Sequence, residues 1–406
     1  MQKPSRDITI LATGQALTST VVSLLTSISS LSGAYLAPNP SLSTVPVTAT
    51  VLGTLMMIYP ASSLMGRLGR RSGFVFKAGV GVVGGAVCCV GLVVSSFWVL
   101  ILGAFLLGIF SAFGQYYRFA AIDAARSPAE HTSAVSIVTG AGVVGGIAGP
   151  FLGSRFSDTF FSIPYAGAFV ALSLVCVCLA LSQMLLSTGL GRGSPARSRT
   201  ELSGSKIGLG KNFMLASAIC AIGFAVMTLT MNAAPLSLQI CGFGMTTSAL
   251  VLQVHFVMMY LPSLFNPVLV KRLGLRGLVV AGVVASAAGC LLTLWPEQTF
   301  AIFVLELGLS GIGWNFMFNG GTLLLADTYP AAAKVRAQGL NSLFVYIANV
   351  IASFSAGAFM AFYGWQVVNL VCLPLLAAAI LALWFGSRSL RGGELRTLAD
   401  DPNRSH

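Results

Sequence analysis

A chain of 406 residues in which 56% are hydrophobic and 8% charged, with a mean hydropathy of +0.86, is too apolar to have water as its main solvent. The formal charge of +12 would suit a nucleic acid only if the basic residues gathered on one soluble face. Here they fall in short connections between apolar stretches, which excludes nucleic acid and leaves the lipid bilayer as the partner.

A membrane-crossing helix needs about 20 largely apolar residues, and twelve such spans can be cut from the chain, at 8–34, 46–66, 74–94, 97–121, 133–155, 163–187, 212–234, 246–268, 277–295, 299–325, 336–360 and 365–387. The predicted fold class is an all-α membrane protein of two six-helix bundles. Residues 1–187 form the first half, 188–211 a Gly-, Ser-, Arg- and Lys-rich linker, 212–387 the second half and 388–406 a tail. Lys3, Arg6 and the small residues Ser32-Gly33-Ala34 give span 1 the outline of a cleavable signal. Its apolar stretch is too long for that, so it is read as a retained helix.

Span 2 runs into Gly66-Arg67-Leu68-Gly69-Arg70-Arg71-Ser72-Gly73. This loop resembles the short basic loop of the major facilitator superfamily, although the acidic residue usual there is absent. The resemblance implies two six-helix halves that rock about a central site. Arg67, Arg70 and Arg71 would act as a cytoplasmic gating loop, with Asp123 at the end of span 4 as the carboxylate they engage. The plainer alternative is a loop that only fixes topology. Lys and Arg at 67, 70, 71, 77, 192–211, 271, 272, 276, 334 and 336 and in the tail fall on one side, while the loops at 35–45, 235–245, 296–298 and 361–364 carry none and only Arg155 borders the loop at 156–162. The positive-inside rule then places both termini in the cytoplasm of a bacterial inner-membrane protein.

Span 4 carries Gln115 and Tyr116 and has Arg118 near its end. Span 5 contains Gly145-x3-Gly149-Pro150-x2-Gly153, which resembles part of the superfamily's antiporter motif, with Ser136 where a further glycine would stand. That supports an alternative function, proton-coupled export of drugs or metabolites. Span 8 echoes span 2: Met56-Met57-Ile58-Tyr59-Pro60 before Arg67-Leu68-Gly69 matches Met258-Met259-Tyr260-Leu261-Pro262 before Arg272-Leu273-Gly274. Asp123 and Asp327, each followed by Pro-Ala, repeat in the same way. Duplication of a six-helix unit follows.

Span 7 carries Met227 and Met231, and span 8 carries His255 and Met259, each pair on one helical face. Taken alone, each methionine is accounted for by packing, and His255 by either metal ligation or a hydrogen bond to a neighbouring helix. Taken together, thioether and imidazole are the donors expected for monovalent copper. At this point Met227-Thr228-Leu229-Thr230-Met231 and His255-Phe256-Val257-Met258-Met259 resemble the paired MxxxM and HxxxM motifs of the CcoA-type copper importers. That resemblance implies import of Cu+ for cbb3-type cytochrome oxidase assembly. Met227, Met231, His255 and Met259 would be the ligands, the ion would be a substrate with no tightly bound cofactor, and cytoplasmic copper acceptors would be partners of a monomeric carrier. Cys241 and Cys220 are accessory thiols by position, and Met56 and Met57 are the repeat mates of Met258 and Met259.

In span 10, Glu306 is a carboxylate in an apolar run, either a carrier of a coupling proton or a group close enough to the surface to stay hydrated. Asn315 and Asn319 either line the cavity or bond helix to helix. Among the cysteines, Cys88, Cys89, Cys176, Cys178, Cys220, Cys290 and Cys372 lie in apolar spans without CxxC spacing, so no disulfide framework is expected. No nucleophile elbow, Walker loop or HExxH sequence points to an enzyme. A third class, a membrane sensor or assembly factor that binds metal without moving it, would use the same ligands.

Overall fold

The computed structural model describes residues 6–125, 130–157, 163–188, 190, 210–326, 328–329 and 334–384, and these form helices joined by short turns. The helices are α1 (Arg6–Leu36), α2 (Val45–Leu68), α3 (Arg70–Val93), α4 (Phe97–Gly114), α5 (Tyr117–Ala124), α6 (His131–Gly140), α7 (Gly142–Phe156), α8 (Ala166–Met184), α9 (Lys211–Ile240), α10 (Met245–Tyr260), α11 (Asn266–Leu292), α12 (Phe300–Ala326) and α13 (Lys334–Leu370), with short 3-10 turns at Pro40–Leu42 and Leu261–Leu264. In hydrocarbon every backbone N–H and C=O must be bonded within its own segment, and helices are how an apolar chain achieves that.

Among the described residues, 11 helical stretches are long and apolar enough to cross a bilayer. The last of them, residues 337–384, doubles back at Gly364 (φ 77) and so counts as two. The predicted total of twelve is met. Predicted span 4 is α4 plus α5, broken at Gln115 and Tyr116, and predicted span 5 is α6 plus α7, broken at Ala141. Most of the predicted linker, the tail from 385 onward, Asp327 and the two Pro-Ala pairs lie outside the described residues.

The basic loop is shorter than its sequence suggests. Helix runs up to Leu68 and resumes at Arg70, leaving Gly69 alone to reverse the chain at φ 87 and ψ 162, a conformation that favours glycine. The sequence repeat is a backbone repeat as well, because Gly274 turns at φ 71 and ψ 170 within α11. The boundary between spans 8 and 9 therefore lies at Gly274, inside the interval left open by the hydropathy pattern.

Alternation of the spans brings Arg6, Arg67, Arg70, Arg71, Lys211 and Arg272 to one end of the molecule, called the basic end below. α1–α8 form one half and α9–α13 the other. They meet where α7 packs on α10, α2 on α13, and α1 on α9.

α1 and α9 are enclosed unequally along their length. Near the basic end, burial on α1 is confined to Ile8, Leu11, Gly14 and Thr18, and on α9 to Phe213, Ala216, Ser217, Ile219, Cys220 and Gly223. That is the spacing of a helix with an open face. Further along, Val226 through Leu238 of α9 and Ser27 through Gly33 of α1 are buried without a break. A helix buried all round has neighbours on every side, so the halves close at the far end and part at the basic end.

A polar seam holds the closed end. Thr44 Oγ1 donates to Ser353 O (2.7 Å) and accepts from Gly357 N–H (3.0 Å). Thr48 Oγ1 and Asn232 Nδ2 each donate to Ser353 Oγ at 3.1 Å. Ser353 of α13 thus joins α2 of one half to α9 of the other. Ser353 O and Gly357 N–H are partners within α13, so removing the Thr44 hydroxyl removes a buried bridge between α2 and α13 worth about 1 kcal/mol. Thr44→Val is expected to speed hydrogen–deuterium exchange in residues 40–48 and 353–360 of the protein in lipid nanodiscs several-fold. Unchanged exchange there would show that the seam does not hold the ends together.

Candidate functional site

Four aromatic side chains from three helices stand where the enclosed part of the second half begins. Trp314 and Phe318 lie one turn apart on α12, so their rings stack with centroids 5.3 Å apart and planes 10° from parallel. Phe224 of α9 meets both edge-on, at 5.2 and 5.0 Å. Tyr260, the last residue of α10, approaches Trp314 edge-on at 6.4 Å. Phe224 immediately precedes the stretch of α9 that is buried on all sides, which puts the group at the head of the opening. Phe224, Tyr260 and Phe318 are half-buried, while Trp314 is buried with no partner for its Nε1–H among the described residues. Half-buried aromatic side chains beside a buried indole donor that has no partner among the described residues suit a planar solute that carries an acceptor at its edge.

Asn315 fixes this wall. Its Nδ2 donates to Met259 O and to Ser263 Oγ, both at 2.6 Å, and its Oδ1 accepts from Asn266 Nδ2 at 3.0 Å. Of the two roles open to Asn315, helix-to-helix bonding is the one seen. Asn319 makes a longer 3.5 Å contact with Ser263 and is half-exposed on the Phe318 side. In the first half, Tyr116 Oη donates to Ile58 O at 2.5 Å, while Gln115 is exposed.

All four sulfur and imidazole positions are buried. Phe224, Met227 and Met231 follow i, i+3, i+7 and share one stripe of α9, so the methionines continue the wall from the aromatic group into the enclosed half. His255 turns toward α12, where its Nδ1 donates to Leu307 O at 2.6 Å. The carbonyl fixes the tautomer and leaves Nε2 as an acceptor, buried and without a partner among the described residues. α9 and α10 touch each other little and pack on α12 instead, α9 through Thr230 and Ser310 (3.2 Å). The two halves of the ligand set are thus held by a common third helix. Among the described residues no three His, Cys, Asp or Glu side chains gather to hold an ion.

The accessory positions stand apart. Met56 is 61% exposed and Met57 packs in a separate core of the first half, because α2 rests on α4 and α13 and not on α10. Cys220 packs on Phe318 O (3.8 Å) and Thr322. Cys241 is exposed beyond the end of α9, ~15 Å of helix rise from Met231. Neither thiol joins the methionines.

Glu306 is buried in the far half, so the hydrated alternative does not hold. Trp365 Nε1–H donates to its Oε2 at 3.2 Å, and Oε1 has no partner among the described residues. Of the gating residues, Arg70 pairs with Asp123 at 2.9 Å and also reaches Met65 Sδ at 3.8 Å. Arg67 is exposed and Arg71 half-exposed, and neither forms an ion pair among the described residues.

One charged residue was misplaced by sequence reasoning. Lys77 counts with the basic loop in the sequence, yet it lies two turns into α3 and is fully buried. Its Nζ donates to Thr18 Oγ1 at 2.7 Å and sits 4.5 Å from the centroid of Phe110 and 4.7 Å from that of Tyr117. The available signal was its distance from Gly69, too great for a loop residue once the turn is a single glycine.

The sequence matches the Major Facilitator Superfamily over residues 11–274 and 256–402. It is similar to the riboflavin transporter RfnT of Brucella anthropi, 31% identical over 379 residues that cover 93% of this chain and 95% of the relative. A POT family transporter in complex with 5-aminolevulinic acid superposes with a TM-score of 0.74 at 12% identity, covering 94% of this chain and 95% of that one. A bacterial metal transporter gives 0.70 at 17% identity, covering 95% and 100%. At such identities the two structures show a shared fold alone.

Asn315→Leu would strip partners from Asn266 and from the buried Met259 carbonyl, at about 1–3 kcal/mol. The expected result is an apparent melting midpoint lowered by roughly 5 °C in detergent, read by scanning fluorimetry. An unchanged midpoint would show that Asn315 does not brace the wall.

Proposed function

The chain belongs to the Major Facilitator Superfamily, and we propose that it carries a planar heteroaromatic organic solute of the flavin class across the bacterial inner membrane by alternating access. The observation that carries this reading is the aromatic group Phe224, Tyr260, Trp314 and Phe318 at the head of a one-sided opening. An isoalloxazine ring is flat and presents carbonyl and ring-nitrogen acceptors at its edge, which suits an aromatic wall whose indole N–H has no partner among the described residues. The relative named a riboflavin transporter, similar over nearly the whole chain, supports the same solute class. With the basic end in the cytoplasm, as the positive-inside rule has it, this structure is the inward-open state. Rocking of α1–α8 against α9–α13 would break the Thr44–Ser353 seam and close the basic end, where Arg70 and Asp123 lie.

A second reading, import of Cu+ for oxidase assembly, is supported by one observation, the buried Nε2 of His255, one turn from Met259 and without a partner among the described residues. It draws on weaker support, since the similar riboflavin transporter points elsewhere and His255 already has a helix-to-helix bond through Nδ1.

Labelled riboflavin and copper flux, measured in cells lacking their own carriers, separates the two. Loss of one stacking partner is worth ~1–3 kcal/mol, so Trp314→Ala is expected to raise the apparent KM for riboflavin roughly tenfold or more at normal membrane abundance. His255→Ala should leave that value near wild type. Wild-type protein that moves no riboflavin in either direction would sink the flavin reading, and copper uptake abolished by His255→Ala would establish the other.

A further inference from the structure

We propose that Lys77 is the group that binds and releases the proton coupled to solute movement. The inference rests on the chain being a carrier but not on which solute it carries. Lys77 is fully buried in α3, inside a cage built by four other helices. α1 supplies Thr18, α4 supplies Phe110, α5 supplies Tyr117 and α8 supplies Cys176. Phe74, one turn before Lys77, stacks flat on Tyr117 at 4.1 Å and holds that ring in place. The titratable groups facing Nζ are the Tyr117 phenol and the Cys176 thiol; α1 and α4 present none, and among the described residues no carboxylate faces it. The ion pair at this end, Arg70 with Asp123, is committed elsewhere.

The cage serves both states of the amine. As an ammonium, Nζ donates one hydrogen bond to Thr18 Oγ1 and lies against two ring faces, whose negative quadrupoles attract a cation. As a neutral amine it offers a lone pair, and the same Thr18 hydroxyl can turn and donate to it. A salt bridge would hold the proton permanently, and a purely apolar pocket would never accept it. The cage does neither.

Nζ lies close to partly exposed backbone. Gly114, the last residue of α4, is partly exposed and precedes the exposed Gln115. A Cβ on Gly114 would stand 3.0 Å from Thr18 Cγ2 and 3.6 Å from Lys77 Nζ, with nothing else within 4 Å. Gly114, with no side chain of its own, is therefore a partly exposed residue that stands directly beside the amine. A hydronium in the opening gives its proton to the Nζ lone pair, forming one N–H bond and leaving water; release to water reverses the step. Proton and solute load from facing walls, α1 and α4 on one side and α9 and α12 on the other.

The test uses full-length protein in two forms. With lysine 15N-labelled at Nζ, the resonance absent from both Lys77→Met and Lys77→Arg is followed against pH in lipid nanodiscs. It is expected to change protonation within the range where the protein stays folded; a constant charge across that range overturns the proposal. In proteoliposomes with riboflavin as probe, Lys77→Met is expected to keep exchange at equal pH while losing at least tenfold of pH-gradient-driven accumulation. Lys77→Arg, which keeps the charge but cannot shed a proton, should fail in the same way. Full accumulation by Lys77→Arg would show a fixed structural charge and overturn the proposal. Wild-type protein that moves no riboflavin would count against the flavin reading alone, and the titration would still decide Lys77.

Discussion

Closing one end of the molecule while the other stays open requires α1 and α9 to change from one-sided to all-round burial within their own length. For α1 the change is made with small side chains. A Cβ on Gly149 of α7 would fall 2.0 Å from Ser23 Oγ and 2.5 Å from Leu24 N. The two backbones therefore touch, and Ser23 Oγ donates to Gly145 O at 2.7 Å across the contact. The hydroxyls of Thr20 and Ser27 return to carbonyls one turn back on α1, at 2.9 and 2.7 Å. A helix this rich in serine and threonine can thus be surrounded by protein while few of its polar groups call for water. The glycine run of α7, which resembles part of an antiporter motif, has its physical meaning here, as the surface that lets α1 in.

Features that depend on local sequence were legible. Hydropathy marked the spans, glycine at Gly69 and Gly274 marked where the chain reverses, and the repeat between spans 2 and 8 became a repeat of backbone geometry. The Arg70–Asp123 pair was also visible, because a basic turn and a carboxylate at a helix end leave few other partners. Lys77 was not legible. Hydropathy starts its span at 74, and a lysine that close to a helix end normally reaches back to water. Only the approach of Phe110, Tyr117 and Thr18, from spans distant in sequence, turns it inward. The aromatic group failed for a related reason: Trp314-x3-Phe318 has the spacing of any core stripe, and Phe224 and Tyr260 reach it through tertiary packing alone.

The metal and aromatic readings share a wall. Phe224, Met227 and Met231 lie along one stripe of α9, and Asn315, beside Trp314, is bonded to the carbonyl of Met259. Residue type drew attention to the sulfurs, since methionine and histidine at helical spacing are a soft-donor pattern. Position gives them a second use. Above the aromatic group they form the apolar ceiling of the opening, and thioethers are adaptable surfaces against a flat ring. A ceiling of methionine therefore does not require an ion beneath it.

Two buried ionisable side chains have unlike access in this state. Glu306 lies in the far half of the second bundle, held by Trp365 and enclosed with the stretch of α9 that is buried all round. Lys77 lies in the first bundle two turns from the basic end, beside the partly exposed Gly114. Anything that exchanges protons with the basic side in this conformation must do so at a group the opening reaches, and Glu306 is on the wrong side of the closed seam. In a chain with so few charged residues, a lysine kept in a cage with no carboxylate among the described residues, beside the partly exposed Gly114, is hard to account for by packing. An uncharged side chain of similar length would fill the same space between Phe110 and Tyr117 without taking an amine out of water.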